Sequence, residues 1–195
     1  PPSFVAGILS EKQAKADAQN AKKFLGKHKD FFHMNNPEKD LKEVRATTDD
    51  LGMTHVRLQQ TKNGVPVDRN ELNVHFNEKN EITTVNGNFD TKLDSLNINT
   101  TPSIQADKAV TEAKAAVDAP AEVPVESSEL VIYPIEKDYH LAYRVNLEFF
   151  EGEAGNWYVY VDAHTGKVLD QYNAMTGFGF FEDIIGTNEV EGSSA

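Results

Sequence analysis

The 195-residue chain carries 31 acidic against 19 basic residues and no cysteine, for a net charge of −12. Disulfides and thiolate metal sites are therefore excluded, and no apolar run approaches a membrane span or the core of a signal peptide. Residues 11–33 hold six Lys against three acids while residues 118–195 hold fifteen acids against three bases, which leaves nucleic acid an unfavourable partner. With 39% hydrophobic residues, 11 Phe and 6 Tyr, the chain reads as globular, with enough length for one large or two small cores.

Ser10-Glu11-Lys12-Gln13 has the pattern of a capping box, and behind it Ala14, Ala18, Ala21, Leu25, His28 and Phe32 recur at spacings of four and three. This predicts one helix over 11–33, its lysines mostly on the solvated faces. After Asn35-Asn36-Pro37, Leu41–Thr48 alternates at Val44, Ala46 and Thr48 and begins a run of strands. In 54–61, Val56 and Leu58 alternate with His55, Arg57 and Gln59, the period of a strand with one buried face. Asn63-Gly64 supplies a positive-φ hairpin turn, and Pro66, lacking an N–H, places the return strand at an edge or across a bulge. Leu72, Val74 and Phe76 alternate next, and 82–89 carries a last strand broken by Asn86-Gly87. Such a unit packs one sheet face on its helix and leaves the other for water or a partner.

Residues 91–101 read as a connector. Ser103 then caps a second helix with the stripe Ala106, Ala109, Val110, Ala113 and Val117, and 118–128 is a loop rich in Pro, Ala and Glu. The nearly all-apolar 130–135 reads as a central strand. Leu141, Tyr143, Val145, Leu147 and Phe149 alternate with polar or small neighbours. Trp157, Val159 and Val161 face the core, opposite Tyr158, Tyr160 and Asp162, and Ala163-His164-Thr165-Gly166 turns the chain back into 167–172. The fold class is thus α+β: two tandem domains, each a helix packed on an antiparallel sheet, at 1–95 and 96–175, with a C-terminal tail or processing segment at 176–195.

Catalytic chemistry finds little support. His28 and His33 lie about 140° apart on a helix and cannot share a face. His55 and His75 sit on different strands with no acidic partner implied by spacing, and no His-Glu-x-x-His occurs. Cysteine nucleophiles, Gly-x-Ser-x-Gly and phosphate-cradling loops are missing, and Asp49-Asp50 reads as a turn. No metal or other cofactor is expected. Tyr158 and Tyr160 are the best candidates for an exposed binding surface.

Thr54-His55-Val56-Arg57, Gln59-Gln60 and Asn63-Gly64-Val65-Pro66-Val67 closely resemble the signature of the fungalysin/thermolysin propeptide domain, and the strand with Asn86-Gly87 is similar as well. The second unit resembles a PepSY domain, a cystatin-like fold: Ala106-Asp107-Lys108-Ala109 opens its helix, and 157–162 followed by Thr165-Gly166-Lys167-Val168-Leu169 matches its closing hairpin. Together they resemble the prosegment of a secreted thermolysin-like zinc metalloprotease of the bacillolysin or neutral protease type. After Val67 this chain has Asp68-Arg69-Asn70, where the family places an aromatic residue and glycine.

The resemblance implies a non-catalytic, extracellular chain that acts as intramolecular chaperone and then inhibitor of its cognate protease, its signal peptide lying outside this sequence. Neither nucleic acid nor membrane is implied as a partner. Thr54, His55, Arg57, Gln60, Gly64, Pro66, Asn86, Gly87, Trp157, Asp162 and Gly166 are the motif residues expected to fix the fold. Asn173, Ala174 and Met175 are expected along the protease cleft. The alternative is a free-standing secreted PepSY-type binding module that restrains a peptidase through its open sheet.

Overall fold

The computed structural model describes residues 3–6 and 11–175. The chain divides into two compact units, the first ending at Thr100 and the second beginning at Thr101.

The first unit runs β1 (Ser3–Ala6), β2 (Glu11–Lys12), α1 (Ala18–Lys27), α2 (Lys29–Phe32), α3 (Pro37–Asp40), β3 (Leu41–Thr48), β4 (Thr54–Lys62), β5 (Val65–Phe76) and β6 (Glu81–Asn88). The strands pair antiparallel in the order β3-β4-β5-β6, and β1 and β2 both pair with β6. One sheet face buries Val56, Leu58, Leu72, Val74, Ile82 and Val85 in a cluster with Ala18, Ala21, Phe24, Leu25 and Phe32 of the helices. Each large apolar side chain sealed there contributes about 1.5–3 kcal/mol.

Residues 11–33 are not one helix. Asp17 accepts the Asn20 N–H at 2.9 Å and caps α1 there, leaving Ala14 exposed outside it. His28, at ψ 25°, separates α1 from α2, and His33 ends α2 in the left-handed region. The proposed cap at Ser10 lies outside the described residues. Strand β3 has the expected bounds, yet past Leu41 it is exposed throughout at the end of the sheet, and Val44 is the residue left without a register partner at a bulge between Glu43 and Arg45. Pro66 sits opposite Thr61 beside a bulge between Gln59 and Thr61, the arrangement a residue without an N–H requires.

Asn86-Gly87 does not break β6. Gly87 pairs with Leu72 and with Phe4, at φ 126°, and a Cβ there would meet the Glu71 carbonyl oxygen at 2.2 Å. A glycine in a strand here marks a close approach of two backbones.

The second unit runs α4 (Ala106–Ala116), β7 (Val125–Ile135), β8 (Asp138–Phe149), β9 (Gly155–Asp162) and β10 (Val168–Asn173). Its ladder runs β7-β8-β9-β10, all antiparallel. The helix stripe buries Ala109, Ala113 and Val117, in line with the spacing. Ser103 does not cap it: Gln105 is the N-cap residue, and the Ser103 hydroxyl instead meets His164 Nδ1 at 2.8 Å. Tyr160 is buried and stacks on Tyr133 at 4.0 Å between ring centroids, whereas Tyr158 stacks on the more exposed Tyr172. Trp157 is only half-buried, its indole N–H donating to the Glu153 carbonyl at 3.0 Å.

In the first unit Asp40, buried at the end of α3, shares a proton-mediated hydrogen bond with Asp94. Burial, then that bond and the Asp94 charge, push its pKa up to about 6, against the pull of Lys39 and Lys62. Between the ordinary carboxylate range and pH 6 the folded state therefore binds the extra proton, and stability falls as pH rises through that window. Asp40→Asn is expected to stabilise the protein by about 1–2 kcal/mol at pH 7.5, after allowance for solvent screening, and to change little at pH 4. Urea midpoints at the two pH values measure it; a variant no more stable than the parent at pH 7.5 contradicts the shared proton.

Candidate functional site

The face of the first sheet turned away from the helices carries a chain of polar side chains across three strands. Asp49, in the β3–β4 turn, accepts the N–H groups of Leu51 and Met53 at 3.0 Å through Oδ1 and meets His55 Nε2 at 2.9 Å through Oδ2. His55 and His75 are direct cross-strand partners, their Nδ1 atoms 2.7 Å apart. His75 Nε2 faces Asn86 Nδ2 at 3.2 Å, Asn86 Oδ1 accepts from Asn73 Nδ2 at 3.2 Å, and Asn73 Oδ1 accepts from Arg57 Nε at 3.4 Å. Arg57 Nε lies 3.5 Å from Glu71 Oε2. The hydrogen bond from His55 holds the Asp49 carboxylate below its ordinary pKa, and burial, then the nearby His55 charge, depresses that of His75.

Among the described residues no group of three or more His, Cys, Asp or Glu is placed to hold a metal ion. The His pair does not supply a two-ligand substitute. Two nitrogens on one tetrahedral ion at about 2.0–2.1 Å stand about 3.3 Å apart, so the 2.7 Å gap is a hydrogen bond's.

Beneath this face, Gln60 is buried at 3% exposure. Its Nε2 donates to the Asp90 carbonyl, and its Oε1 accepts from the Asp90 N–H and from Asn70 Nδ2, each at 2.9 Å. Neighbouring Gln59 donates to the carbonyls of Val67, at 2.7 Å, and Asn70, at 2.9 Å. These two amides hold the irregular path of 67–70, where Arg69 takes φ 65°. Thr54 closes the β3–β4 hairpin by a 2.9 Å hydroxyl bond to Thr48, and Asn63 and Gly64 both take positive φ in the next turn, as their sequence predicts.

In the second unit Asp162 organises the β9–β10 turn. Burial raises its pKa, but the N–H groups of His164 and Thr165, donating at 2.8 and 3.0 Å, prevail and leave it lowered. Gly166, at φ 78°, donates to the Asp162 carbonyl, while Ser103 and Ile104 at the entry to α4 donate to the Ala163 carbonyl. Asn173 closes the opposite end: Oδ1 accepts from the N–H groups of Asn156 and Met175 at 3.1 Å, and Nδ2 donates to the Ala154 carbonyl at 3.2 Å. Its side chain fills the space a Cβ on Gly155 would take. Ala174 is half-buried and Met175 is exposed.

With this geometry in view, residues 39–89 match the family model of the Fungalysin/Thermolysin Propeptide Motif, and residues 103–172 match that of the Peptidase propeptide and YPEB domain. The chain is a tandem of two propeptide domains. The propeptide tandem is similar to Bacillolysin of Brevibacillus brevis, 30% identical over 93% of this chain and 37% of that protein. It is also similar to Thermolysin of Alicyclobacillus acidocaldarius, 33% identical over 97% of this chain and 36% of that protein, and to Bacillolysin of Bacillus subtilis, 34% identical over 81% and 32%. The tandem thus spans about a third of the length of these curated relatives. Among solved structures it is similar to the Bacillus megaterium YpeB C-terminal domain, at 16% identity, TM-score 0.42, 84% of this chain and 68% of that one. The matched families are propeptide families, and the chain is non-catalytic. No described helix is long and apolar enough to cross a membrane.

Sequence reasoning singled out His55, Arg57, Asn86 and Gln60 without the partners that tie them together. Asp49, Asn73 and His75 join the first three, and Asn70 and Asp90 complete the anchorage of Gln60. The deciding feature is register: beyond the two-residue turn at Asn63-Gly64, residues 67–70 stand against Gln60 alone, and that irregularity sets His55 opposite His75 and Arg57 opposite Asn73.

Proposed function

We propose that this chain is the prosegment of a thermolysin-like zinc metalloprotease, acting outside the cell first as an intramolecular chaperone for the catalytic domain and then as its inhibitor. The observation that carries the reading is the order of the two propeptide domains together with identity, across almost the whole chain, to relatives named thermolysin and bacillolysin. A protease with a high folding barrier is helped by a preformed surface that binds its folding intermediate, and the same surface, still bound afterwards, covers the cleft. The motif residues keep that surface in shape: Gln60, Asp162 and Gly166 hold turns and loops rather than offering free donors. Asn173 anchors the chain at the end of β10, and Ala174 and Met175 lead from it toward the cleft.

Diluting a denatured thermolysin-like protease into refolding buffer with an equimolar amount of this chain is expected to raise the recovered activity, and excess chain is expected to inhibit the refolded enzyme. Equal recovery with and without the chain, with no inhibition in trans, rejects the reading. Deleting residues 173–195 is expected to weaken inhibition; unchanged affinity rejects the cleft placement alone.

A further inference from the structure

We infer that the line His55–His75–Asn86 is a proton-gated latch on the outer face of the first sheet: closed while both histidines are neutral and broken at one of its two cross-strand bonds by one added proton. This stands on the hydrogen-bond chain itself and is independent of the chaperone reading.

The chain admits one consistent direction of donation. Asp49 is an ionised acceptor, so His55 carries its proton on Nε2 and offers a lone pair at Nδ1. His75 must then donate from Nδ1, which leaves its Nε2 as the acceptor facing Asn86 Nδ2. Asn86 Oδ1 accepts from Asn73, and Asn73 Oδ1 accepts from Arg57. Every polar atom along the line is matched donor to acceptor, with a cation at one end and a carboxylate at the other.

A proton added to this pair enters only at an atom that already accepts a hydrogen bond. On His55 Nδ1 it sets two N–H groups against each other across 2.7 Å; on His75 Nε2 it sets an N–H against the Asn86 amide. Either entry breaks a cross-strand bond and places positive charge beside Arg57. The charged groups of this face are Asp49 of the turn, Arg45 of β3 opposite Arg57 of β4, and Glu71 of β5. Strand β6 presents only the uncharged Thr84 and Asn86 beside His75, and Glu81 at its start is engaged by Asn77. The single carboxylate next to the pair, Asp49, is bound to His55 Nε2, so charge on His55 has a counter-ion on its far side, whereas neither side-chain partner of His75, Asn86 or His55, supplies one.

The depressed pKa of His75 agrees in sign. A histidine that resists charging when folded takes up the proton more readily unfolded, so its contribution is complete above the unfolded value near 6.5 and is lost as pH falls toward the folded value. Asp40 acts with the opposite sign in an overlapping window, so parent and variant are compared as a difference, in which its contribution cancels.

The test measures urea midpoints of the full chain from pH 7.5 to 5.5 for the parent, His75→Asn and the remote control His28→Gln. The parent and the control are expected to lose stability more steeply with acid than His75→Asn, in which that slope is reduced or reversed. Two-bond 1H–15N spectra at pH 7.5 are expected to show His55 protonated on Nε2 and His75 on Nδ1. Exchange of the β4 and β5 amides flanking the pair is expected to accelerate at least tenfold between pH 7.5 and 5.5, after correction for intrinsic rates. Equal slopes in parent and His75→Asn, or the opposite tautomers, overturn the latch. If His75→Asn does not fold, the tautomers and the parent's amide exchange decide.

Discussion

Gly87→Ala is expected to destabilise the first unit by about 3–5 kcal/mol, enough to unfold it in much of the population. Two costs combine. An alanine at φ 126° is strained, and its Cβ would lie 2.2 Å from the Glu71 carbonyl oxygen and 3.0 Å from the Leu72 Cα, both backbone atoms of the neighbouring strand. A flexible side chain would move aside; β5 does so only by giving up its pairing with β6. Urea denaturation followed by far-UV circular dichroism measures the loss, and a variant within about 1 kcal/mol of the parent would show that β5 and β6 do not approach as closely as described.

Gln60→Leu is expected to cost about 2–4 kcal/mol although it makes the site more apolar. The amide satisfies both backbone groups of Asp90 and the side chain of Asn70 in a buried setting, and leucine leaves all three without that partner. Gln60→Glu tests the mechanism within the same shape: it retains an acceptor for the Asp90 N–H and Asn70 but loses the donor to the Asp90 carbonyl. A midpoint for Gln60→Leu equal to or above the parent's would mean that the loop after β6 is held by other contacts.

The legible parts of the fold were those written in periodicity and turn chemistry. Val56 with Leu58 and Leu72 with Val74 alternate strictly and are buried, and Asn63-Gly64 turns with positive φ at both residues. What misled was local pattern with a competing local bond. The apolar spacing ran back to Ala14, but Asp17 captures the Asn20 N–H and starts the helix later. Ser103 looked like a cap, but its hydroxyl is drawn to His164, a residue 61 positions away. Val44 alternated with its neighbours, but it is exposed at the end of the sheet, without a register partner at the bulge. Asn86-Gly87 read as a break in the last strand because the reason for that glycine lies on another strand. The polar line from Asp49 to Arg57 was out of reach for the same reason: each residue is unremarkable in sequence, and only strand register brings them into contact.

Strand β3 carries a consequence for how the molecule meets others. Among the described residues it pairs only with β4, so its outer side presents unpaired backbone groups of the kind that zip one protein onto the next. That side is guarded: Lys42, Glu43 and Arg45 are exposed along it, and the bulge between Glu43 and Arg45 disrupts the straight template a foreign strand needs. A chain protected in this way resists self-assembly into cross-β fibrils when crowded. Recognition through the first unit is thereby directed to its faces, where side chains select a partner, and away from a margin where any extended backbone would serve.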